Sequence, residues 1–133
     1  MKVLLVAYAC EPGKGSEPGI GWDWATGLAR DSRVSVTVVT RANNRPAIEA
    51  AISEIPDTAR PAFEYWDLPA ALVRLKRGRA AIYPYYAAWC FGVRRQLRRL
   101  VHERGIDILH HLTFSTDWLP GSLPARPGCA TVL

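Results

Sequence analysis

Apolar residues occur in two patterns along this chain: short continuous runs, and longer segments in which they recur every three or four residues. The first continuous run, residues 2–8, predicts a strand buried on both faces of a parallel sheet. The spacing of Ile20, Trp24 and Leu28 then predicts a helix over residues 20–30 with these three side chains on its buried face. A strand followed by a helix is the first half of a βαβ unit.

The remaining segments continue this alternation of strands and helices. Residues 34–40 are rich in β-branched side chains and predict the second strand, and residues 46–55 predict a second helix that ends before Pro56. Further elements are predicted as a weaker third strand at residues 62–68, a short basic helix at 70–79, a long helix at 85–104, a fourth strand at 106–110, an irregular connection at 112–127 and the start of a fifth strand at 130–133. The pattern predicts an α/β fold with a Rossmann-like, doubly wound parallel sheet, whose ligands bind at the carboxyl ends of the strands.

Length and composition limit what this fold can contain. A chain of 133 residues is long enough for one sizeable core and too short for two ordinary domains, and its 49% hydrophobic residues are typical of globular proteins. Because Cys10, Cys90 and Cys129 are odd in number and far apart, we expect buried thiols, with no disulfide framework and no metal site. Such thiols are typical of a reducing cytoplasm, where we expect the domain to be located. No apolar run approaches the ~20 residues of a membrane-spanning helix, so any membrane association is expected to be peripheral.

Positive charge is concentrated in the second half of the chain. Residues 74–104 hold nine Lys and Arg residues against the single acid Glu103. In the long helix, the arginines lie opposite the apolar face, at Arg94, Arg95, Arg98 and Arg99. This basic face is either solvated or in peripheral contact with acidic lipids at the inner face of a membrane. No nucleic-acid-binding motif accompanies the charge, so we expect no nucleic acid partner.

A glycine-rich loop, residues 9–22, joins the first strand to the first helix. Its glycines allow close backbone approach, so amide groups can converge on a diphosphate at the positive end of the helix. Ser16 is the expected N-cap of that helix, and Pro18 is tolerated in its first turn. The loop lacks the spacing of a P-loop, which argues against a nucleoside triphosphatase.

Other interpretations of this loop remain open. The spacing Gly13-x-Gly15-x-x-x-Gly19 is similar to a relaxed dinucleotide fingerprint, but Thr40-Arg41 stands where NAD enzymes place an acid for the ribose. NAD is therefore disfavoured, while an oxidoreductase domain that binds NADP through Arg41 is an alternative. A loop that only turns the chain, in a non-catalytic interaction domain, is another.

The segment Tyr8-Ala9-Cys10-Glu11-Pro12, followed by Gly15-Ser16-Glu17-Pro18-Gly19-Ile20-Gly21-Trp22, resembles the opening of group 1 bacterial glycosyltransferases, known as family 4 of the sequence-based classification. The second of these two stretches, residues 15–22, is fairly specific to one bacterial subgroup of the family. The resemblance implies that residues 1–133 are the N-terminal, acceptor-side half of a two-domain glycosyltransferase B-type fold. It implies transfer of a sugar, with retention, from a nucleotide-sugar donor to a hydroxyl of a carbohydrate or lipid-linked acceptor, without a cofactor. We therefore expect a truncated chain that lacks the donor-binding C-terminal domain and is inactive alone.

The resemblance also assigns residues of the loop to the site. Gly19 and Gly21 are expected nearest the donor diphosphate. Gly15, Ser16 and Glu17 are expected on the acceptor side, where the carboxylate of Glu17 accepts hydrogen bonds from sugar hydroxyls.

Two adjacent histidines, His110 and His111, lie where the predicted fourth strand ends. The segment is similar to the one in which this family places a histidine in a cleft-facing loop, where imidazole can orient or polarise groups at the reacting sugar. Many family members have His-x-His, and Leu112 stands at the second position of that pattern here. Strand alternation places the two rings on opposite faces, and we favour His111 over His110 as the catalytic residue. Thr113 is an expected acceptor contact.

Overall fold

The continuous apolar runs form the centre of a parallel sheet in the computed structural model, which describes residues 1–71, 81–112 and 129–132. The strands are β1 (Lys2–Ala7), β2 (Ser35–Thr40), β3 (Ala62–Tyr65), β4 (Ile108–Leu112) and β5 (Ala130–Val132). The helices are α1 (Glu17–Ala29), α2 (Arg45–Ile52) and α3 (Ile82–Arg104), with short 3-10 turns at Ala42–Asn44 and Asp57–Ala59. The predicted basic helix lies almost entirely outside the described residues, as do the predicted connection after residue 112 and the last residue of the fifth strand.

All five strands are parallel, in the spatial order β3-β2-β1-β4-β5. In the sheet, Leu4 of β1 lies between Thr37 of β2 and Leu109 of β4. The order reverses between β1 and β4, because the chain adds β2 and β3 on one side of β1 and then crosses to the other side. The predicted α/β fold with a Rossmann-like parallel sheet is confirmed. Doubly wound folds bind their ligands at such a reversal, outside the carboxyl ends of the strands.

Each face of the sheet has its own hydrophobic core, because successive side chains of β1 point to opposite faces. Leu4, Val6 and Tyr8 pack with α3, whereas Leu5 and Ala7 pack with α1 and with Ile48 of α2. Helices therefore cover both faces, as the prediction of a doubly wound sheet requires.

Helix α3 has the apolar face that its periodicity predicts. The buried side chains include all the residues at the repeating positions: Tyr86, Trp89, Val93, Leu97, Leu100 and Val101. The indole nitrogen of Trp89 donates to the carbonyl of Trp66 at 3.0 Å, which satisfies its one polar group within the core. Gly105 adopts the left-handed conformation at φ 60° and ends the helix, as expected.

The prediction for the buried face of α1 is wrong for Ile20 and Trp24, whereas Leu28 is half-buried against the core. Ile20 is 52% exposed and Trp24 is 45% exposed, while the small residues Gly21, Ala25 and Ala29 are buried against the sheet. Both sets of residues have the same four-residue spacing, so periodicity alone does not distinguish them. The small set is buried because it lets the helix backbone approach the sheet closely.

The fourth strand begins two residues later than predicted. The amide of Lys2 donates to Oδ2 of Asp107 at 2.7 Å, and the amide of Asp107 donates to the carbonyl of Lys2 at 2.9 Å. These contacts set the register between β1 and β4. His110 and His111 therefore both lie inside β4, whereas the sequence placed His111 at the end of the strand.

The three cysteines are free thiols, as expected: Cys10 and Cys90 are buried, and Cys129 is half-buried. Burial raises the pKa of the Cys10 thiol to about 12, so this thiol is protonated at neutral pH. Within the described ranges, no helix combines the length and the apolar character that crossing a bilayer demands.

Candidate functional site

The loop that connects β1 to α1, residues 8–16, folds back onto the first turn of the helix. The amide of Glu11 donates to the carbonyl of Pro18 at 2.9 Å, and the ammonium of Lys14 pairs with the Glu11 carboxylate at 2.9 Å. The loop therefore covers the amino end of α1 at the carboxyl edge of the sheet. Pro18 lies in the first turn, as predicted.

Ser16 occupies the N-cap position but does not cap the helix as the sequence predicted. Its backbone has φ 60° and ψ −146°, and its side chain makes no capping hydrogen bond. Capping serines have extended backbone angles, from which the hydroxyl reaches the amides of the first turn. The hydroxyl of Ser16 is exposed instead, next to the open backbone of Gly15.

Gly19 and Gly21 are both explained by contacts within the chain. A Cβ atom on Gly19 would lie 2.1 Å from the carbonyl oxygen of Lys14, and one on Gly21 would lie 2.2 Å from the carbonyl oxygen of Ala9. Gly21 is also buried. These two glycines let the loop backbone pack directly on α1, and the expected contact between them and a donor diphosphate stays a prediction.

The acceptor-side residues are arranged differently. Nothing lies within 4 Å of a Cβ atom on Gly15, Ser16 is exposed, and Glu17 is half-buried at the first position of α1. Three of the predicted site residues are thus adjacent on an accessible part of the loop. Thr113, the fourth expected acceptor contact, lies outside the described residues.

His111 is fully buried between β4 and α3. Its Nε2 atom lies 3.3 Å from the hydroxyl oxygen of Tyr86, and the two rings are stacked with centroids 6.5 Å apart. Burial, with a smaller contribution from the charge of His110, lowers the pKa of His111 to about 4, so the ring is neutral at pH 7. Direct contact between this ring and a sugar would require α3 to move, and its catalytic role stays a prediction.

His110 lies on the opposite face of β4, as strand alternation predicts. Its ring meets the indole of Trp24 edge to face, with centroids 5.0 Å apart, and it is half-buried. Burial lowers the pKa of His110 below the ordinary histidine value. Of the two histidines, His110 is the more accessible, beside the exposed side chain of Trp24.

A polar cluster follows β2 at the carboxyl edge, and its contacts were not predicted from the sequence. The carbonyl oxygen of Tyr8 accepts hydrogen bonds from Nε of Arg41 at 3.1 Å and from Nδ2 of Asn44 at 3.2 Å. Nδ2 of Asn44 also donates to Oγ1 of Thr40 at 2.8 Å, and the guanidinium carbon of Arg41 lies 4.1 Å from the centroid of the Tyr8 ring. Polar residues that directly follow a predicted strand are the signal that could have identified the cluster.

Asp67 extends this cluster to the end of β3. Its carboxylate accepts from the amide of Ala42 at 3.1 Å and from the hydroxyl of Tyr85 at 3.0 Å. Burial, followed by the hydrogen bond to Asp67, raises the pKa of Tyr85 to about 12, so the hydroxyl keeps its proton. The carboxylate therefore fixes the start of α3 to the segment after β2.

A groove of about 650 Å³ lies on another part of the surface, between α1 and residues 51–59. Trp22, Thr26 and Arg30 line one side, and Glu54 and Ile55 line the other. This volume lies in the range of small-ligand sites. Over residues 1–71, 81–112 and 129–132, no three His, Cys, Asp or Glu side chains are grouped closely enough to hold a metal ion.

Together, the carboxyl edge offers an accessible glycine-containing loop and an oriented arginine, and the middle of β4 adds a half-buried histidine. Such groups can bind the hydroxyl and anionic groups of a small ligand. In the comparisons with known proteins, no family model and no curated sequence matches this chain.

Proposed function

We propose that this chain is the acceptor-side domain of a retaining glycosyltransferase with a two-domain, glycosyltransferase B-type fold. In this proposal, the partner domain holds the nucleotide of a nucleotide-sugar donor, and a carbohydrate or lipid-linked acceptor binds at the carboxyl edge of the sheet. Gly15, Ser16 and Glu17 contact the acceptor, and His110 or His111 orients groups near the reacting sugar.

The observation that supports this proposal most strongly is the position of the loop after β1. It emerges from the central strand, beside the reversal of strand order at β4, where doubly wound folds bind ligands. Its segment from Gly13 to Ser16 is exposed, so its backbone amides and the Ser16 hydroxyl are accessible to a ligand. The resemblance of residues 8–12 and 15–22 to the opening of group 1 glycosyltransferases suggests the chemical class of the ligand.

The NADP alternative is less well supported by the geometry. A dinucleotide fingerprint places its glycines in a tight turn that leads directly from the strand into the helix. In this chain, residues 8–16 separate β1 from α1, and Gly13 and Gly15 lie within that long loop.

We predict that Gly15→Leu weakens the binding of the acceptor at least tenfold while leaving the fold intact. A side chain at this position meets no atom within 4 Å and needs no positive φ, so it projects from the loop into the space that a ligand would occupy. Sugar transfer from UDP-glucose or GDP-mannose to a panel of carbohydrate and lipid-linked acceptors, by the longer protein in which we propose that the chain lies, measures the effect. Calorimetric titration with the same donors and with NADP tests the alternative.

The matched control is Gly27→Leu. Gly27 is equally open and lies near the other end of α1, so this variant should bind as the unmodified protein does. Saturable binding of NADP alone would contradict the glycosyltransferase proposal, and so would transfer to the acceptor that Gly15→Leu leaves unchanged.

We also propose that the outer face of α3 contacts an acidic membrane surface, where a lipid-linked acceptor would be located. Phe91 is 72% exposed on this face, and Arg95, Arg98 and Arg99 are exposed beyond it. An exposed aromatic ring beside cations is typical of helices that lie in the lipid interface.

Phe91→Ser with Arg95→Gln should reduce co-sedimentation with phosphatidylglycerol vesicles at least tenfold. Trp24→Ser is the control, because it removes an exposed aromatic side chain from another helix, and it should not reduce co-sedimentation. Equal loss in both variants, or no co-sedimentation, would refute the contact.

A further inference from the structure

Arg41 is held in a single orientation by contacts with Tyr8. Its Nε atom donates to the Tyr8 carbonyl at 3.1 Å, and its guanidinium carbon lies 4.1 Å from the centroid of the Tyr8 ring. Asn44 donates to the same carbonyl, which keeps that oxygen in place. Because the side chain is already ordered, a ligand that binds it does not have to restrict a flexible arginine.

Several arginines among the described residues are ion-paired, whereas Arg41 is not. Arg33 pairs with Asp31, Arg45 with Glu49, and Arg104 with Glu64. Arg41 has no ion pair or terminal-nitrogen hydrogen bond with any residue that the structure describes. The nearby carboxylate of Asp67 is occupied by the amide of Ala42 and the hydroxyl of Tyr85.

The place of Arg41 in the fold is also one at which ligands bind. The residue directly follows β2 at the carboxyl edge of the sheet, and its side chain extends over the end of the neighbouring central strand β1. It is half-buried, so it is partly desolvated and still accessible. A guanidinium with its two terminal nitrogens open matches the two oxygens of a phosphate or carboxylate.

We propose that Arg41 is the anion-binding residue of a ligand site at this edge, and that it holds a phosphate or carboxylate group through its two terminal nitrogens. Tyr8 and Asn44 act as positioning residues, because they fix the guanidinium and do not contact the anion. The site does not depend on glycosyl transfer. If the proposed function also holds, the acceptor is an anionic sugar, either a sugar phosphate or a uronic acid, and this identification rests on that function.

The test is an NMR titration of the chain at constant ionic strength with inorganic phosphate and, separately, with glucuronate. The side-chain Nε–H signal of Arg41 should shift saturably with at least one of these anions. Arg41→Gln should lower the affinity at least tenfold, and Arg41→Lys should restore part of it, because lysine keeps the charge but not the paired nitrogens. Whichever anion binds more tightly identifies the ligand group as phosphate or carboxylate.

Arg45→Gln is the matched control. Arg45 also lies over a tyrosine ring, that of Tyr65, but its Nε atom is already paired with Glu49. This variant should bind the anion as the unmodified chain does. The proposal fails if neither anion causes a saturable shift, if Arg41→Gln binds as well as the unmodified chain, or if Arg45→Gln loses as much affinity as Arg41→Gln. None of these results bears on nucleotide-sugar binding, so the two proposals fail independently.

Discussion

Gly21→Ala is expected to lower the free energy of unfolding by about 3 kcal/mol. The added Cβ atom would lie 2.2 Å from the carbonyl oxygen of Ala9, which is far inside van der Waals contact. Because the opposing atom belongs to the backbone, no side-chain rotation can relieve the overlap. Either the loop or α1 must shift, and both pack on β1. Urea unfolding followed by circular dichroism measures the change.

Gly27→Ala provides the control on the same helix. A Cβ atom on Gly27 meets nothing within 4 Å, so alanine should stabilise the chain by about 0.5–1 kcal/mol through its higher helix propensity. Equal effects of the two substitutions would contradict the close packing of loop and helix. The comparison also shows why substitutions of Gly19 and Gly21 are poor tests of ligand binding: they are expected to damage the fold whether or not a ligand binds there.

Acidification from about pH 7 to about pH 5 is expected to destabilise the chain by about 2 kcal/mol through His111 alone. Burial holds the pKa of this ring at about 4 in the folded state, below the ordinary value of 6.5. The unfolded chain therefore takes up a proton first as the pH falls. The stability that neutral His111 preserves is complete above about pH 6.5 and is lost as the pH falls towards 4.

His111→Gln should remove most of this pH dependence, because glutamine does not titrate and can still bond to the Tyr86 hydroxyl. Urea unfolding of both proteins at about pH 7 and about pH 5 gives the difference. His110→Gln is the comparison: its pKa is also lowered by burial, but the ring is only half-buried, so the variant should change the pH dependence less. An unchanged slope in His111→Gln would show that the ring is not buried in its neutral form.

The parts of the fold that were predicted correctly are those in which many apolar residues indicate the same element. The apolar runs that form β1 and β2 leave no polar face, so they can only be central strands of a covered sheet. The long helix α3 repeats its apolar positions over six turns, so one atypical residue does not change the prediction. The free thiols and the glycine that ends α3 followed from the sequence for similarly local reasons.

The failures arose where two arrangements satisfy the same pattern. Large and small residues repeat with equal spacing in α1, and only the approach of the helix to the sheet determines that Ala25 is buried and Trp24 is exposed. Likewise, the limits of β4 depend on the contact between Asp107 and Lys2, which are far apart in sequence. Propensities within a segment contain no information about such pairings.

The candidate site was predicted in part. The loop after β1 and the opposite orientation of the two histidines could be inferred, because connectivity and strand alternation place them. The contacts of Arg41, Asn44 and Asp67 could not, because they join the ends of three different elements through hydrogen bonds to backbone atoms. Their location after predicted strands was visible, but their mutual distances were not.

At the amino ends of the strands, hydrogen bonds join segments that are far apart in the sequence. At the amino edge, the terminal amine of Met1 donates to the Arg33 carbonyl at 2.8 Å and the ammonium of Lys2 donates to the Arg104 carbonyl at 2.8 Å, in addition to the contacts of Asp107. The strands are thus tied together far from the exposed tip of the β1–α1 loop. Replacement of that tip, from Gly13 to Ser16, with segments of other sequence is therefore expected to leave the framework unchanged.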